Sequence, residues 1–315
     1  MAAGHNVTIF TRGNQKVEFA HTTERIIGDR TDYSKFKELM AKRSFDAVVD
    51  NIAYEANDVD CALEVFNGQI GQYILCSSGS VYRFTDNFNL PIFNAISEPE
   101  TDLEPVGDHP YNDGKRACEK VLINAKANKI TIPYTIIRPT VVHGSHDPTY
   151  RSWFWVSRIL DKEPILLPYT LPSSMFNHVY ANDVAQAMFQ AIGNKRAFNN
   201  IYNIAGTDII TLEEFLFLIS KALNLTLNLY LASAKVIAEQ SELAQYEPVF
   251  LGYRHVLDIH KAISDLNFQP SPISQWLKTT VDTIAKQPPD KAAASYGTRC
   301  AEIDAAKKFG LKITG

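Results

Sequence analysis

A tyrosine and a lysine four residues apart, Tyr111 and Lys115, are the side chains of this sequence best suited to chemistry. At this spacing the two lie on one face of a helix. A cation beside the ring favours the phenolate, so we expect Lys115 to lower the pKa of Tyr111 and make it a usable proton shuttle. A strand-like run upstream, Tyr73–Cys76, ends in several serines, and a hydroxyl from that end can hold the same substrate oxygen. Such a trio suits proton transfer at an alcohol while hydride moves to or from a nicotinamide.

Composition limits the classes of protein that this chain can be. Its 315 residues suffice for one large domain or two moderate ones, and 45% hydrophobic with 21% charged residues is typical of a globular protein. A net charge of -4 gives no sign of a nucleic-acid surface. No apolar run reaches the roughly 18–20 residues of a membrane span, and no secretion signal is evident. The four cysteines have no metal-ligand spacing, so we predict reduced thiols and a cytoplasmic location. Together these features predict no membrane contact and disfavour a nucleic-acid partner.

The first half of the chain alternates strand patterns with helix patterns. Predicted strands are Asn6–Phe10, Glu24–Gly28, Asp46–Asp50, Tyr73–Cys76 and Tyr134–Arg138, and predicted helices are Tyr33–Lys42, Asn57–Phe66 and Tyr111–Ala127. Strands that alternate with helices of about 10–15 residues indicate a parallel sheet with helices on both faces. The catalytic helix would then follow the strand that carries the serines.

The pattern loosens from about His143, where helices predominate. Predicted helices are Tyr150–Leu160, Asn182–Ile192, Leu212–Leu223, Ala232–Glu242, Ile259–Leu266, Ile273–Ala285 and Arg299–Phe309, with short strands near Phe176–Tyr180, Ile201–Ile204 and Thr226–Leu231. We therefore predict a cofactor domain over residues 1–142. Residues 143–315 would be mostly a substrate-binding region, with a segment near 176–192 returning to the large domain.

Several motifs together resemble the extended short-chain dehydrogenase/reductase family, which contains the NAD-dependent epimerases and dehydratases. The resemblance rests on the Tyr111–Lys115 motif, the serine run before Val81-Tyr82, Arg138-Pro139, and the stretch Asp258–Pro270, and it extends from His5 to about Ala285. It implies an α/β fold, a doubly wound parallel sheet of the Rossmann-like type with a smaller C-terminal substrate domain. It also implies that Tyr111 is the acid/base, that Lys115 holds the nicotinamide ribose, and that Ser78 binds the substrate oxygen, with Ser77 and Ser80 as competing choices.

The resemblance also predicts a strand and a glycine-rich turn before the first strand of this sequence. That turn cradles the cofactor pyrophosphate on a helix N-terminus. No glycine here stands in such a motif, and residues 1–5 resemble the last turn of a helix capped by Gly4. The predicted strand normally lies in the middle of the sheet, so we expect unpaired edges on its two neighbours.

Cofactor residues follow from the ends of the predicted strands. Arg12 follows the first strand of this chain without an acid beside it, and a guanidinium suits a 2′-phosphate, so NADP is slightly favoured over NAD. Asp29 with Arg30 resembles the acidic position that contacts the adenine, although Asp29 can equally cap the next turn. Further expected cofactor contacts are Asn51, Ile52, Ala53, Tyr111, Lys115 and Arg138.

Departures from the family pattern narrow the substrate. Dehydratases carry an acidic pair just after the catalytic hydroxyl residue, whereas this chain has Gly79 and Ser80, which disfavours sugar dehydration. Val141 stands where nucleotide-sugar epimerases usually have an asparagine, which weakens a nucleotide-sugar substrate without excluding it. His143 and His146 have no third ligand at a recognisable spacing, so no metal site is predicted. Candidate substrate contacts are Ser80, His143, Arg151 and Arg254.

The sequence therefore predicts an NAD(P)-dependent oxidoreductase or epimerase that acts on a sugar or sugar-like alcohol. Epimerisation and net reduction both stay open. The partner would be a small-molecule sugar or sugar nucleotide, and a homodimer is compatible with the resemblance. The alternative is a family member without catalysis that acts as a binding protein, including an RNA-binding one.

Overall fold

The computed structural model of the chain describes residues 4–14, 23–82, 103–105, 107, 109–128, 130–169, 175–251, 256–286 and 297–313. Its main sheet has four parallel strands in the order β3-β4-β5-β9. These strands are β3 (Val48–Asp50), β4 (Tyr73–Cys76), β5 (Tyr134–Pro139) and β9 (Asn200–Ile204). Their carboxyl ends meet at one edge, where α/β proteins bind ligands.

Helices cover both faces of this sheet because its strands are apolar on both sides. Alternate residues of β4 point in opposite directions: Tyr73 and Leu75 join one apolar cluster and Ile74 joins another. The first cluster includes residues of α1 (Tyr33–Met40), α2 (Ala56–Phe66) and α3 (Pro110–Asn124). The second includes residues of α5 (Ala181–Ala191) and α8 (His260–Leu266). The predicted doubly wound α/β fold is thus confirmed.

Strands β1 (Thr8–Thr11) and β2 (Glu24–Ile27) form a separate parallel pair. Within the described residues, β1 is not paired with β3, so the β1–β2 pair and the four-stranded sheet remain two sheets. Val49 of β3 is 37% exposed, whereas Leu75 at the centre of the sheet is fully buried. The expectation of a strand and a glycine-rich turn before β1 stays a prediction. Residues 1–3 of the expected helical turn lie outside the described residues.

The second half of the chain adds two small sheets around a third apolar cluster. One has the order β10-β8-β6, from β6 (Val141–His143), β8 (Met175–Tyr180) and β10 (Ile209–Thr211). The other has the order β12-β11-β7, from β7 (Ile165–Tyr169), β11 (Leu229–Ser233) and β12 (Leu311–Ile313). Their cluster is completed by α4 (Arg151–Leu160), α6 (Leu212–Ala222), α7 (Ala234–Ala238), α9 (Ile273–Lys286) and α10 (Arg299–Phe309).

The segment near 176–192 bridges the two parts. Strand β8 pairs with β6, and α5, which follows it directly, contacts β5 of the main sheet. Strand β9 then pairs with β5 in parallel and completes the main sheet. The site residues on the main sheet are therefore held beside the second half of the chain.

Candidate functional site

Helix α3 presents Tyr111 in its first turn. Pro110 starts the helix, and the imidazole of His109 accepts a hydrogen bond from the backbone N–H of Tyr111 at 3.1 Å. The ring of Tyr111 is 39% exposed, while Lys115, one turn later, is only 2% exposed. The helix therefore directs one side chain to the edge of the site and the other beneath it.

Lys115 is anchored at the carboxyl ends of two parallel strands. Its ammonium donates hydrogen bonds to the carbonyl oxygens of Ala53 at 2.7 Å and Cys76 at 2.9 Å. It lies 5.8 Å from the ring centroid of Tyr111 and 4.7 Å from that of Tyr54. Two strand ends and two aromatic rings thus surround one buried cation.

The turn after β4 places the three candidate serines differently. Ser78 caps the short turn Gly79–Val81, and its hydroxyl donates a hydrogen bond to the hydroxyl of Ser80 at 3.0 Å. Ser78 also lies close enough to the Tyr111 side chain to lower the tyrosine pKa. Ser77 is buried and donates to Glu119 instead. The structure therefore places Ser78 nearer to Tyr111 than Ser77, with Ser80 beside Ser78.

The pKa of Tyr111 departs from the sequence-based expectation. It is raised above its ordinary value because partial burial disfavours the phenolate more than the nearby Ser78 hydroxyl and the charge of Arg151 favour it. Lys115 was expected to lower this pKa, but the pKa is raised and Lys115 is not among the main groups that shift it. Its ammonium donates hydrogen bonds to two backbone carbonyls instead.

Two arginines expected at the cofactor lie in buried ion pairs instead. Arg138 is 1% exposed, pairs with the buried carboxylate of Glu119 and donates to the hydroxyl of Tyr82. Arg30 is 8% exposed and pairs with Asp50 at 2.8 Å. Buried guanidinium groups need such partners, because an unpaired buried charge is costly. In this structure both side chains bond to protein groups, and their predicted cofactor contacts stay predictions.

The other expected cofactor residues lie at open strand ends. Asp29 accepts hydrogen bonds from the N–H and the hydroxyl of Thr31 at 2.9 and 2.8 Å, which is the turn-capping role that the sequence also allowed. These bonds are the main cause of the lowered pKa of Asp29. Arg12 is exposed just after β1, and its charge lowers this pKa further. Asn51 and Ile52 are exposed after β3, and Ala53 beside them is fully buried.

The expected substrate residues fall into three groups. Ser80 is half-buried beside Ser78, and Arg151 is close enough to Tyr111 to favour its phenolate. His143 is 1% exposed and stacks on Trp276, so in this structure it lies in the core, and its predicted substrate contact stays a prediction. Arg254 lies outside the described residues.

His143 also has a buried partner that the sequence did not single out. Its Nε2 lies 2.8 Å from Nδ1 of His178, and its Nδ1 lies 3.0 Å from the Ser152 hydroxyl. Burial lowers the pKa of His143 well below its ordinary value and that of His178 to about 3, so both rings are neutral. Among the described residues, no group of three or more His, Cys, Asp or Glu side chains is placed to hold a metal ion.

Tyr54 is the site residue that the sequence reasoning did not assign. It follows the buried Ala53, its side chain is 53% exposed, and its ring centroid lies 6.3 Å from that of Tyr111. A bulky aromatic directly after a small residue at a strand end was the available signal.

In the part of the chain that the structure describes, no helix is long and apolar enough to cross a membrane.

Ser78, Tyr111 and Lys115 lie near the strand ends of the doubly wound parallel sheet, which is the arrangement that the resemblance to the short-chain dehydrogenase type predicts. The sequence model of the NAD-dependent epimerase/dehydratase family matches residues 50–205. Over these residues the chain carries the sequence pattern of that family.

Known proteins are similar to this chain in sequence or in fold. The chloroplast stem-loop binding protein of 41 kDa b from Arabidopsis thaliana is 30% identical over 226 residues, which cover 67% of this chain and 54% of that relative. The chain thus spans about half the length of this relative. The UDP-glucose 4-epimerase of Thermotoga maritima, solved with UDP-glucose, is similar over 91% of this chain and 93% of its own, with a TM-score of 0.70 and 18% identity. The dTDP-glucose 4,6-dehydratase of Bacillus anthracis, solved with NAD, is similar over 90% and 89%, with a TM-score of 0.67 and 15% identity.

Proposed function

We propose that this protein is an NAD(P)-dependent oxidoreductase or epimerase that transfers hydride and a proton at an alcohol carbon of a sugar or sugar-like substrate. The observation that carries the proposal is the placement of Ser78 beside Tyr111, one helical turn from the Lys115 ammonium that is anchored at the ends of β3 and β4. A hydroxyl and a phenol that lie this close together can both reach one substrate oxygen.

Proton transfer would be the task of Tyr111. Oxidation of a secondary alcohol breaks a C–H and an O–H bond; the hydrogen on carbon leaves as hydride, and the hydroxyl proton passes to the phenolate of Tyr111. Ser78 donates a hydrogen bond to the substrate oxygen and keeps it at the tyrosine. Reduction of the resulting carbonyl reverses both transfers. The cofactor, when bound, supplies the hydride acceptor and donor.

The chain's own residues fit the nicotinamide end of such a cofactor. Ala53 offers no bulk at the end of β3, and Lys115 holds a positive charge between the ends of β3 and β4. Arg12 is an exposed guanidinium after β1, which suits a 2′-phosphate and supports a preference for NADP. The solved dehydratase of the same fold binds NAD, so both cofactors need testing.

The turn after Ser78 favours redox or epimerisation chemistry over dehydration. Gly79 is buried and has no side chain, and the hydroxyl of Ser80 cannot act as an acid and base pair at neutral pH. The positive charge of Arg151 lies close enough to Tyr111 to lower the tyrosine pKa, so it favours a substrate with an anionic group near the tyrosine. A sugar nucleotide meets this requirement, in line with the UDP-glucose of the similar epimerase.

The test compares wild type with Tyr111→Phe, which removes the proton-transferring hydroxyl and keeps the ring. Turnover of UDP-sugars with NADP or NAD should fall by about 10²–10⁴-fold. Tyr169→Phe is the matched control, because Tyr169 is an exposed tyrosine on β7. Equal turnover in wild type and Tyr111→Phe would overturn the assignment.

Ser78→Ala adds a test of the effect of Ser78 on the tyrosine. Because the Ser78 hydroxyl lowers the pKa of Tyr111, its loss should shift the rising limb of the pH–rate profile to higher pH. A profile that keeps its position would show that Ser78 does not act on the tyrosine.

A second candidate is binding of a nucleic-acid stem-loop without catalysis, which the 30% identity to the chloroplast stem-loop binding protein favours. The net charge of -4 argues against a large phosphate-binding surface. Titration with a stem-loop RNA at two salt concentrations separates the candidates. Salt-dependent binding that survives Tyr111→Phe, without turnover of any alcohol, would favour the second.

A further inference from the structure

Tyr54 lies on a loop whose backbone is held from two sides. The N–H groups of Tyr54 and Glu55 donate to one carboxylate oxygen of Asp58, at 2.8 and 3.2 Å. Asp58 is itself 3% exposed. On the other side the carbonyl oxygen of Tyr54 lies only 2.1 Å from where a Cβ at residue 114 would be. Gly114 therefore lets helix α3 pack directly on this loop, and the loop has little freedom to move.

The ring of Tyr54 is placed against the buried ammonium. Lys115 Nζ lies 4.7 Å from the ring centroid, within the range of a cation–π contact. The ammonium has three N–H donors, and two of them bond to the carbonyl oxygens of Ala53 and Cys76. The aromatic face adds a third contact. Together these groups account for a lysine side chain that is 2% exposed at the edge of an open site.

Tyr54 is 53% exposed, so its ring lies at the edge of the site. Its neighbours are the exposed ring of Tyr111 and the ammonium, both members of the proposed catalytic trio. The hydroxyl of Tyr54 is not needed for a cation–π contact, whereas its ring is.

We propose that Tyr54 is a positioning residue whose ring holds the Lys115 ammonium at the ends of β3 and β4, beneath Tyr111. The catalytic consequence rests on the proposed function, while the placement of Lys115 does not. Tyr54 does not touch the reacting atoms and acts through Lys115.

Labelling of lysines tests the placement without any turnover. An amine-reactive reagent at limiting concentration, quantified by mass spectrometry, reports the labelling of Lys115 against Lys120 of the same helix, whose side chain is 45% exposed. In Tyr54→Leu the apolar bulk is retained but the aromatic face is lost, so labelling of Lys115 should rise about 3–30-fold relative to Lys120. Tyr54→Phe should leave it unchanged. Tyr169→Leu is the matched control, because Tyr169 is also 53% exposed.

Turnover then separates this inference from the proposed function. With active wild-type protein, kcat should fall about 3–30-fold in Tyr54→Leu and recover in Tyr54→Phe, with a smaller change in KM. Unchanged labelling of Lys115 in Tyr54→Leu, or an equal rise in Tyr54→Phe, would overturn the inference. Inactive wild type with the expected labelling pattern would refute the proposed function and support the placement of Lys115 by Tyr54.

Discussion

Gly114→Ala is the substitution for which the structure gives the most definite expectation. The added Cβ would lie 2.1 Å from the carbonyl oxygen of Tyr54, whereas carbon and oxygen in close contact stay about 3.3 Å apart. The obstructing atom belongs to the backbone and cannot rotate away. Helix α3 or the Tyr54 loop must therefore move by about 1 Å.

Two effects of Gly114→Ala oppose each other in stability. Alanine in a helix is favoured over glycine by about 1 kcal/mol, while overpacking of this kind costs about 1–3 kcal/mol. The free energy of unfolding should thus fall by at most about 2 kcal/mol. Activity should suffer more, because a misplacement of about 1 Å can lower turnover by about 10²-fold.

Urea unfolding and kcat, measured on the same preparations, check this prediction. The control is Gly144→Ala, because the nearest atom to its added Cβ is a side-chain carbon at 3.1 Å, the Cβ of Ala181. It should change stability by no more than about 1 kcal/mol. If Gly114→Ala matched wild type in both stability and turnover, the close approach of α3 to the loop would be refuted.

Three further predictions follow from the charges. Arg12→Ala should weaken binding of NADP far more than of NAD in calorimetric titrations, because a charge-assisted contact to the 2′-phosphate is lost; equal weakening would make Arg12 structural. His143 and His178 have pKa values below the ordinary 6.5, so the unfolded chain binds more protons in acid than the folded chain does. The contribution of these residues to the free energy of unfolding is therefore full above pH 6.5 and falls as the pH drops below it. In urea unfolding between pH 7 and pH 4, His178→Phe should make that fall shallower. Glu302→Gln removes a fully buried carboxylate that is paired with two arginines, so the free energy of unfolding should fall by about 3–5 kcal/mol. The exposed control Glu24→Gln should lower it by at most about 1 kcal/mol. Similar small losses in both variants would refute the importance of the buried pair.

Several helices and strands were predicted well from the local pattern of apolar residues. The strand Tyr73–Cys76 and the helix Arg299–Phe309 have the predicted bounds, and α3 begins one residue before the predicted Tyr111. The strands that were not predicted are short or irregular. Strand β7 contains Pro168, β6 has three residues, and β12 is exposed, so their pairing depends on distant partners that local patterns do not reveal.

The site could be predicted only where spacing along the chain decides the geometry. Tyr111 and Lys115 share a helix, so their relation follows from the helical repeat. Arg138 was expected at the cofactor, yet its carboxylate partner, Glu119, comes from another element and draws the guanidinium into the core. His143 is buried by rings such as Trp276, which lies more than a hundred residues away in sequence. Burial of a charged or polar group thus depends on partners that the sequence pattern does not show.

The ion pairs of α10 have a consequence for the order in which the chain can fold during synthesis. Arg158 bonds to Glu302, 144 residues later, and Asp161 bonds to Arg299, 138 residues later. Strand β12, at Leu311–Ile313, forms one edge of the small sheet of β7 and β11. While the ribosome is still making these last elements, Arg158 would be without its buried carboxylate and the small sheet would lack an edge. The main sheet can form once β9 has been made, whereas Arg158 gains its carboxylate and the sheet of β7 and β11 gains its third strand only when residues 302–313 follow.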